Sequence, residues 1–89
     1  EVMDEKERSR LAKLNLEAAE IAITKSAFRT AVNYLEIGVS ALDHTVRWQE
    51  RYYDITLRTF LFLARMRMCC GRKSGAIAAC EEIFENVIF

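Results

Sequence analysis

The stretch Cys70-Gly71-Arg72-Lys73-Ser74-Gly75-Ala76 decides how this chain is read. Two glycines around a Lys-Ser pair, directly ahead of an apolar helical pattern, belong either to a loop that cradles phosphate or to the turn of a helical hairpin. The phosphate loop needs G-x-x-x-x-G-K-S/T between a strand and a helix, so that backbone N–H groups and the helix terminus hold the anion. The upstream glycine of that motif is missing ahead of Lys73-Ser74, and Thr59 to Met66 belongs to a helix rather than a strand. The stretch is therefore read as a hairpin turn. Gly71 takes the left-handed conformation that ends one helix without a Cβ clash, Arg72 and Lys73 complement the negative end of that helix's dipole, and Gly75 lets the two helices start close together.

Working outward, the whole chain reads as helical. It has no proline and three glycines, and its apolar residues recur at steps of three and four. A first helix is expected from about Met3 to Thr24, with Leu11, Leu14, Ala18 and Ile21 as its apolar stripe. Ser26 is placed to cap a second helix, about Ala27 to Leu42, with Phe28, Ala31, Leu35, Gly38 and Leu42 along one seam. Asp43 to Val46 forms a short loop. A third helix, about Arg47 to Cys70, carries two stripes, one through Trp48, Tyr52, Ile55, Thr59, Phe62 and Met66 and one through Tyr53, Leu57, Phe60 and Ala64. It therefore packs on both sides. A fourth helix, about Ser74 to Phe89, sets Ala76, Ala79, Cys80, Ile83 and Val87 on one face, with Ile77, Phe84 and Ile88 beside them. Short connections make neighbours antiparallel, so the expected fold class is all-α: one domain over residues 1–89 of two stacked hairpins, about 3–42 and 47–89.

The hairpins repeat. Ala31 and Ala76 are 45 residues apart, and on that register Phe28, Ala31, Leu35 and Gly38 match Lys73, Ala76, Cys80 and Ile83. Upstream, Ala18-Ala19 falls where Leu63-Ala64 stands. A small pair on one helix, a Gly or Ser turn, an aromatic, then Ala, a large and a small residue resembles the signature of tetratricopeptide repeats. Gly71, Ala76 and Cys80 follow it, Phe28 keeps its aromatic, and Lys73 departs from it. The unit exceeds the usual ~34 residues, and the run from Ala22 to Trp48, "AITKSAFRTAVNYLEIGVSALDH" followed by the tryptophan, with "YYDITLRTF" and "CGRKSGA" further on, resembles the repeat region of large multidomain signal-transduction ATPases, some fused to kinase or cyclase modules. That resemblance implies a solenoid fragment excised from a longer array, a non-catalytic role in protein interaction and scaffolding, and neighbouring repeats as partners. The competing expectation is a stand-alone four-helix regulatory or phosphotransfer bundle.

Thirteen basic and thirteen acidic residues leave no net charge, so a whole-domain grip on nucleic acid or anionic lipid is not expected. The 52% hydrophobic content and mean hydropathy near zero belong to a folded chain rather than a disordered one, although a chain this short buries only roughly 60–65% of its unfolded surface. No apolar run is long enough to span a bilayer. Cys69, Cys70 and Cys80, odd in number with a vicinal pair, fit reduced thiols and a cytoplasmic setting, and are read as small buried hydrophobes.

Their spacing does not suit zinc, and His44 falls in a loop rather than in mid-helix, where a phosphoacceptor belongs. No active-site constellation, metal or cofactor is expected. The remaining feature is an arginine every seven residues, Arg51, Arg58, Arg65 and Arg72, the first three along one helix face with Arg47 a turn earlier. Arginine forks suit carboxylates, so this is a candidate stripe for an acidic peptide or domain, or a solvated face supported by an Asp54 to Arg58 pair. In tetratricopeptide repeats the first helix of each unit lines the groove. By that resemblance Arg58, Leu61 and Arg65 face it, with Lys13, Leu16 and Glu20 as their counterparts. Trp48, Tyr52 and Tyr53 are read as packing anchors between hairpins.

Overall fold

The computed structural model describes residues 4–87, which form four helices and their turns: α1 (Glu5–Thr24), α2 (Phe28–Ala41), α3 (Glu50–Cys69) and α4 (Lys73–Asn86). The expected helix ends at Met3 and at Ile88-Phe89 lie outside the described residues. Asp4 starts α1 by accepting the Glu7 N–H at 2.8 Å, and Glu5 and Glu7 sit at the positive end of the helix dipole.

Both hairpins turn by the same bonds. After α1 the Ser26 N–H donates to the Ile23 carbonyl and the Ala27 N–H to that of Ala22. After α3 the Gly71 N–H donates to Met68 and the Arg72 N–H to Arg67, all at 2.8 to 3.0 Å. This Schellman arrangement needs a left-handed residue just past the helix, supplied by Gly71 at φ 73° and by Ser26 at φ 58°. Ser26 is thereby committed to closing α1, and the start of α2 falls one residue later on Ala27, with no side-chain cap. The expected Ser26 cap is not made. Nothing lies within 4 Å of a Cβ built at Gly71, so backbone strain is the whole cost of a side chain there. Gly71→Ala should lose about 1 kcal/mol and Ser26→Gly gain up to about 1 kcal/mol, read as opposite shifts of the urea midpoint at unchanged slope.

The repeat extends to every helix boundary. Glu5 and Glu50, Thr24 and Cys69, Phe28 and Lys73, and Ala41 and Asn86 each stand 45 residues apart. The first helix of each hairpin has 20 residues and the second has 14. α1 pairs with α2 and α3 with α4. α2 runs along α3, and α1 approaches α3 more lightly. Among the described residues α4 makes no close backbone approach to α1 or α2, so two antiparallel hairpins stand side by side and the four helices do not close on themselves.

Ala19 and Ala22 of α1 and Ala31 of α2 are buried, and such small residues let helix axes come close. Leu16, Val32 and Leu35 join Phe60, Leu63 and Met66 of α3 and Ala79 of α4 in the main core. A smaller cluster holds Ala12, Ala41, Leu42 and Tyr52. The expected α1 stripe is displaced by one position. Ala12, Leu16, Ala19 and Ala22 face inward, whereas Leu14 is 55% and Ile21 57% exposed. The alanine row permits the closer approach, and the leucine–isoleucine row beside it is left facing away from the rest of the chain.

α3 begins at Glu50, three residues later than expected, because the connection folds on itself. The Val46 and Arg47 N–H groups donate to the Asp43 carbonyl. The Asp43 carboxylate accepts the Thr45 N–H at 3.0 Å and its hydroxyl at 2.9 Å, bonds that hold its pKa below the ordinary aspartate value. The buried Thr56 hydroxyl donates to the Arg47 carbonyl at 2.6 Å and fixes this connection to α3. Trp48 therefore lies ahead of α3 rather than in its first turn.

Candidate functional site

The face shared by α1 and α3 carries the charged residues singled out in the sequence. Arg51 pairs with Glu5 at 2.7 Å and Arg58 with Glu20 at 2.9 Å, so both arginines of α3 reach across to α1. Arg58 does not take the expected Asp54 partner four residues away. Arg72 lies 3.6 Å from Glu36. The seven-residue spacing thus builds cross-links between elements rather than an open cationic stripe. Arg65 differs. Its guanidinium lies 6.0 Å from the Phe62 ring centre, and it has no carboxylate partner among the described residues.

A shallow cleft of about 370 Å³ runs between α1 and α3 and brings together Lys13, Leu16, Glu20, Arg51 and Arg58. Leu16 is its buried floor rather than an exposed contact, because α3 covers it. Leu61 and Arg65 stand further along α3, exposed, outside this lining. A second cleft of about 360 Å³ lies at the end where α1 meets the connection, with Arg8, Leu42, Asp43 and Tyr52 in its wall. There the Tyr52 hydroxyl donates to Glu5, and that bond raises its pKa above the ordinary tyrosine value. Tyr52 is held as a donor.

The best-built polar cluster escaped the sequence reading. The Glu82 carboxylate of α4 accepts from Arg47 Nη2 at 2.7 Å, Arg47 Nε at 3.2 Å and Trp48 Nε1 at 2.7 Å. Arg47 also covers the Phe60 ring at 5.0 Å. Trp48 stacks on Phe60 and meets Tyr53 edge-on, with centroids 5.8 and 5.7 Å away. Partial burial opposes ionisation of Glu82, but the Trp48 and Arg47 donors outweigh it and hold the carboxyl below the ordinary glutamate value. Of the three aromatics expected to anchor the hairpins to each other, Tyr52 packs with Ala12, Ala41 and Leu42 across them, whereas the ring contacts of Trp48 with Tyr53 and Phe60 stay within hairpin two. Arg67, the other missed residue, donates to the Gly75 carbonyl at 3.0 Å and to Glu36 at 3.1 Å. A Cβ on Gly75 would stand 3.1 Å from Arg67 Cδ, so this glycine makes room for the arginine that links α2, α3 and α4.

The repeat-signature positions divide by location. Ala19, Ala31, Leu35, Gly38, Leu63, Ala64 and Ala76 are buried, Ala18, Phe28 and Ile83 half-buried, and Gly71 and Cys80 exposed. Cys80 is not the core residue expected from its match to Leu35, because α3 lies along α2 and no described element lies along the corresponding side of α4. Cys69 is exposed as well and Cys70 half-buried, so the buried-hydrophobe reading fails for Cys69 and Cys80. His44 is exposed in the connection. Among the described residues no three His, Cys, Asp or Glu side chains converge as metal ligands, and no helix is long and apolar enough to cross a membrane.

Comparison with protein-family models, with curated proteins and with solved structures finds no match to the chain.

Proposed function

We propose that this chain is a protein-interaction and scaffolding module of tetratricopeptide-like repeats, non-catalytic in itself and belonging to a larger cytoplasmic signalling ATPase. The observation that carries the reading is the 45-residue recurrence of all helix boundaries together with both hairpin turns. A repeat array uses one supersecondary unit many times and covers each unit's apolar face with its neighbour. Leu14 and Ile21 at one end and Ile77 and Phe84 at the other are exposed, apolar faces of the kind that neighbouring units of such an array would cover. A free-standing regulatory bundle, the competing reading, is disfavoured by the open topology, since α4 does not return to α1.

The coding sequence on both sides tests the proposal directly. Further hairpins at 45-residue spacing, with a complete G-x-x-x-x-G-K-S/T in a strand-to-helix context elsewhere in the same chain, are the expected result. Flanks lacking the repeat would refute the array, and flanks with repeats but no nucleotide-binding motif would refute the ATPase context.

A further inference from the structure

Burial differs systematically between equivalent positions of the two hairpins. Val32 and Leu35 of α2 are 1% and 0% exposed, whereas Ile77, 45 residues on, is 49% exposed, and Cys80 is exposed. Leu16 of α1 is buried and its counterpart Leu61 on α3 is exposed. The face that hairpin one covers with α3 is thus left open on hairpin two, by α3 and α4 together, with Phe84 projecting from it at 75% exposure.

The internal interface also specifies the polar contacts around such a face. α3 meets hairpin one with Arg51 on Glu5, Arg58 on Glu20 and Arg67 on Glu36. The equivalent acceptor positions on hairpin two are Glu50, Arg65 and Glu81. Two of the three keep their sign and the middle one is reversed. None of the three has an ion-pair partner among the described residues.

Resting on the repeat reading, we propose that the open face of α3 and α4 receives one further amphipathic helix, the first helix of the next repeat unit in the array, rather than α1 of a second copy of this chain. That helix resembles α3 in its apolar spacing and in its cations opposite Glu50 and Glu81, but carries a carboxylate opposite Arg65. A second copy fits poorly. Its α1 would bring Lys6 to Glu50, which is favourable, but Lys13 to Arg65 and the uncharged Ala22 to Glu81. Like charges in contact disfavour a wrong partner more than matched rim charges strengthen a right one.

The probe is a synthetic peptide of residues 50–69 with Arg58→Glu and Cys69→Ser, titrated into the full 89-residue chain at low salt, beside the same peptide retaining Arg58. The Arg58→Glu peptide should bind about fivefold more tightly, and the preference should invert on an Arg65→Glu chain. Phe84→Glu, at a position exposed enough to leave the fold intact, should abolish binding of both. Equal affinities with Phe84-dependent binding retained would overturn the stated chemistry while leaving the repeat reading in place, and no binding of either peptide would overturn the docking face. Sedimentation of the chain alone should show a monomer. Concentration-dependent oligomers that Phe84→Glu disperses would make the second copy the occupant and overturn the proposal. Failure of the repeat reading itself has a separate signature, a tandem chain with an added hairpin and no gain in stability.

Discussion

Leu35→Ala should unfold most of the chain under conditions in which Cys80→Ala, at the equivalent position of the other hairpin, leaves it folded. Leu35 is fully buried where α2 meets the core shared with α3. Truncating such a leucine costs about 2–5 kcal/mol through lost transfer energy and the cavity left behind. A domain of this size has a net stability toward the low end of about 5–15 kcal/mol, so the loss removes much of it. Cys80 is exposed, and truncating it should stay within about 0.5 kcal/mol. The same contrast is expected between Val32→Ala and Ile77→Ala, at 1% and 49% exposure. Urea unfolding followed by far-ultraviolet circular dichroism measures all four. Similar losses within each pair would mean that α4 is covered as α2 is, contrary to the open arrangement described.

The second large effect belongs to Glu82. Glu82→Ala should cost about 2–4 kcal/mol, because the side chain of Arg47 is only 12% exposed and would lose its counter-charge together with the Trp48 acceptor. Glu82→Gln retains an acceptor and removes the charge, so it should cost roughly half as much. The pH dependence has a definite sign. The folded-state pKa of Glu82 lies below its ordinary value of 4.5, so its contribution is fully present above about pH 4.5 and is lost as pH falls through the lower folded value. The stability difference between the native chain and Glu82→Gln should accordingly shrink on acidification within that window. A difference constant down to the acid limit would show that the Glu82 charge does not stabilise the fold.

What could be read from the sequence was whatever depends on periodicity and on single-residue backbone preference. Helical spacing located four helices, and Gly71 marked a left-handed turn that the backbone confirms at φ 73°. The 45-residue register found through Ala31 and Ala76 extends to all helix boundaries. What could not be read depends on which of two adjacent rows a helix turns toward its neighbour. On α1 the larger side chains Leu14 and Ile21 suggested the inner face, but the alanine row allows the closer packing. Ser26 shows the same limit, since a serine suits an N-cap and also tolerates a left-handed C-terminal position, and only the length of the turn decides between them. The arginines were visible as a pattern, but their partners Glu5, Glu20, Glu36 and Glu82 lie 31 to 46 residues away along the chain, and no local spacing indicates them.

The central claim, one 45-residue unit used twice with open ends, is tested most directly by lengthening the chain in register. Residues 5–49 placed ahead of residues 5–87 form a three-hairpin chain in which the second α1 occupies the place that α3 takes on hairpin one. There Leu14 and Ile21 would be covered, and Lys6 and Lys13 would meet Glu5 and Glu20 with matched charge. In a repeat array stability is a sum of unit and interface terms, and the urea dependence grows with the surface exposed on unfolding. The measurement is equilibrium urea unfolding of the two chains side by side. A single transition with a higher midpoint and a slope about half as large again is the predicted result. An unchanged transition, with the added hairpin melting separately or not folding at all, would contradict the claim.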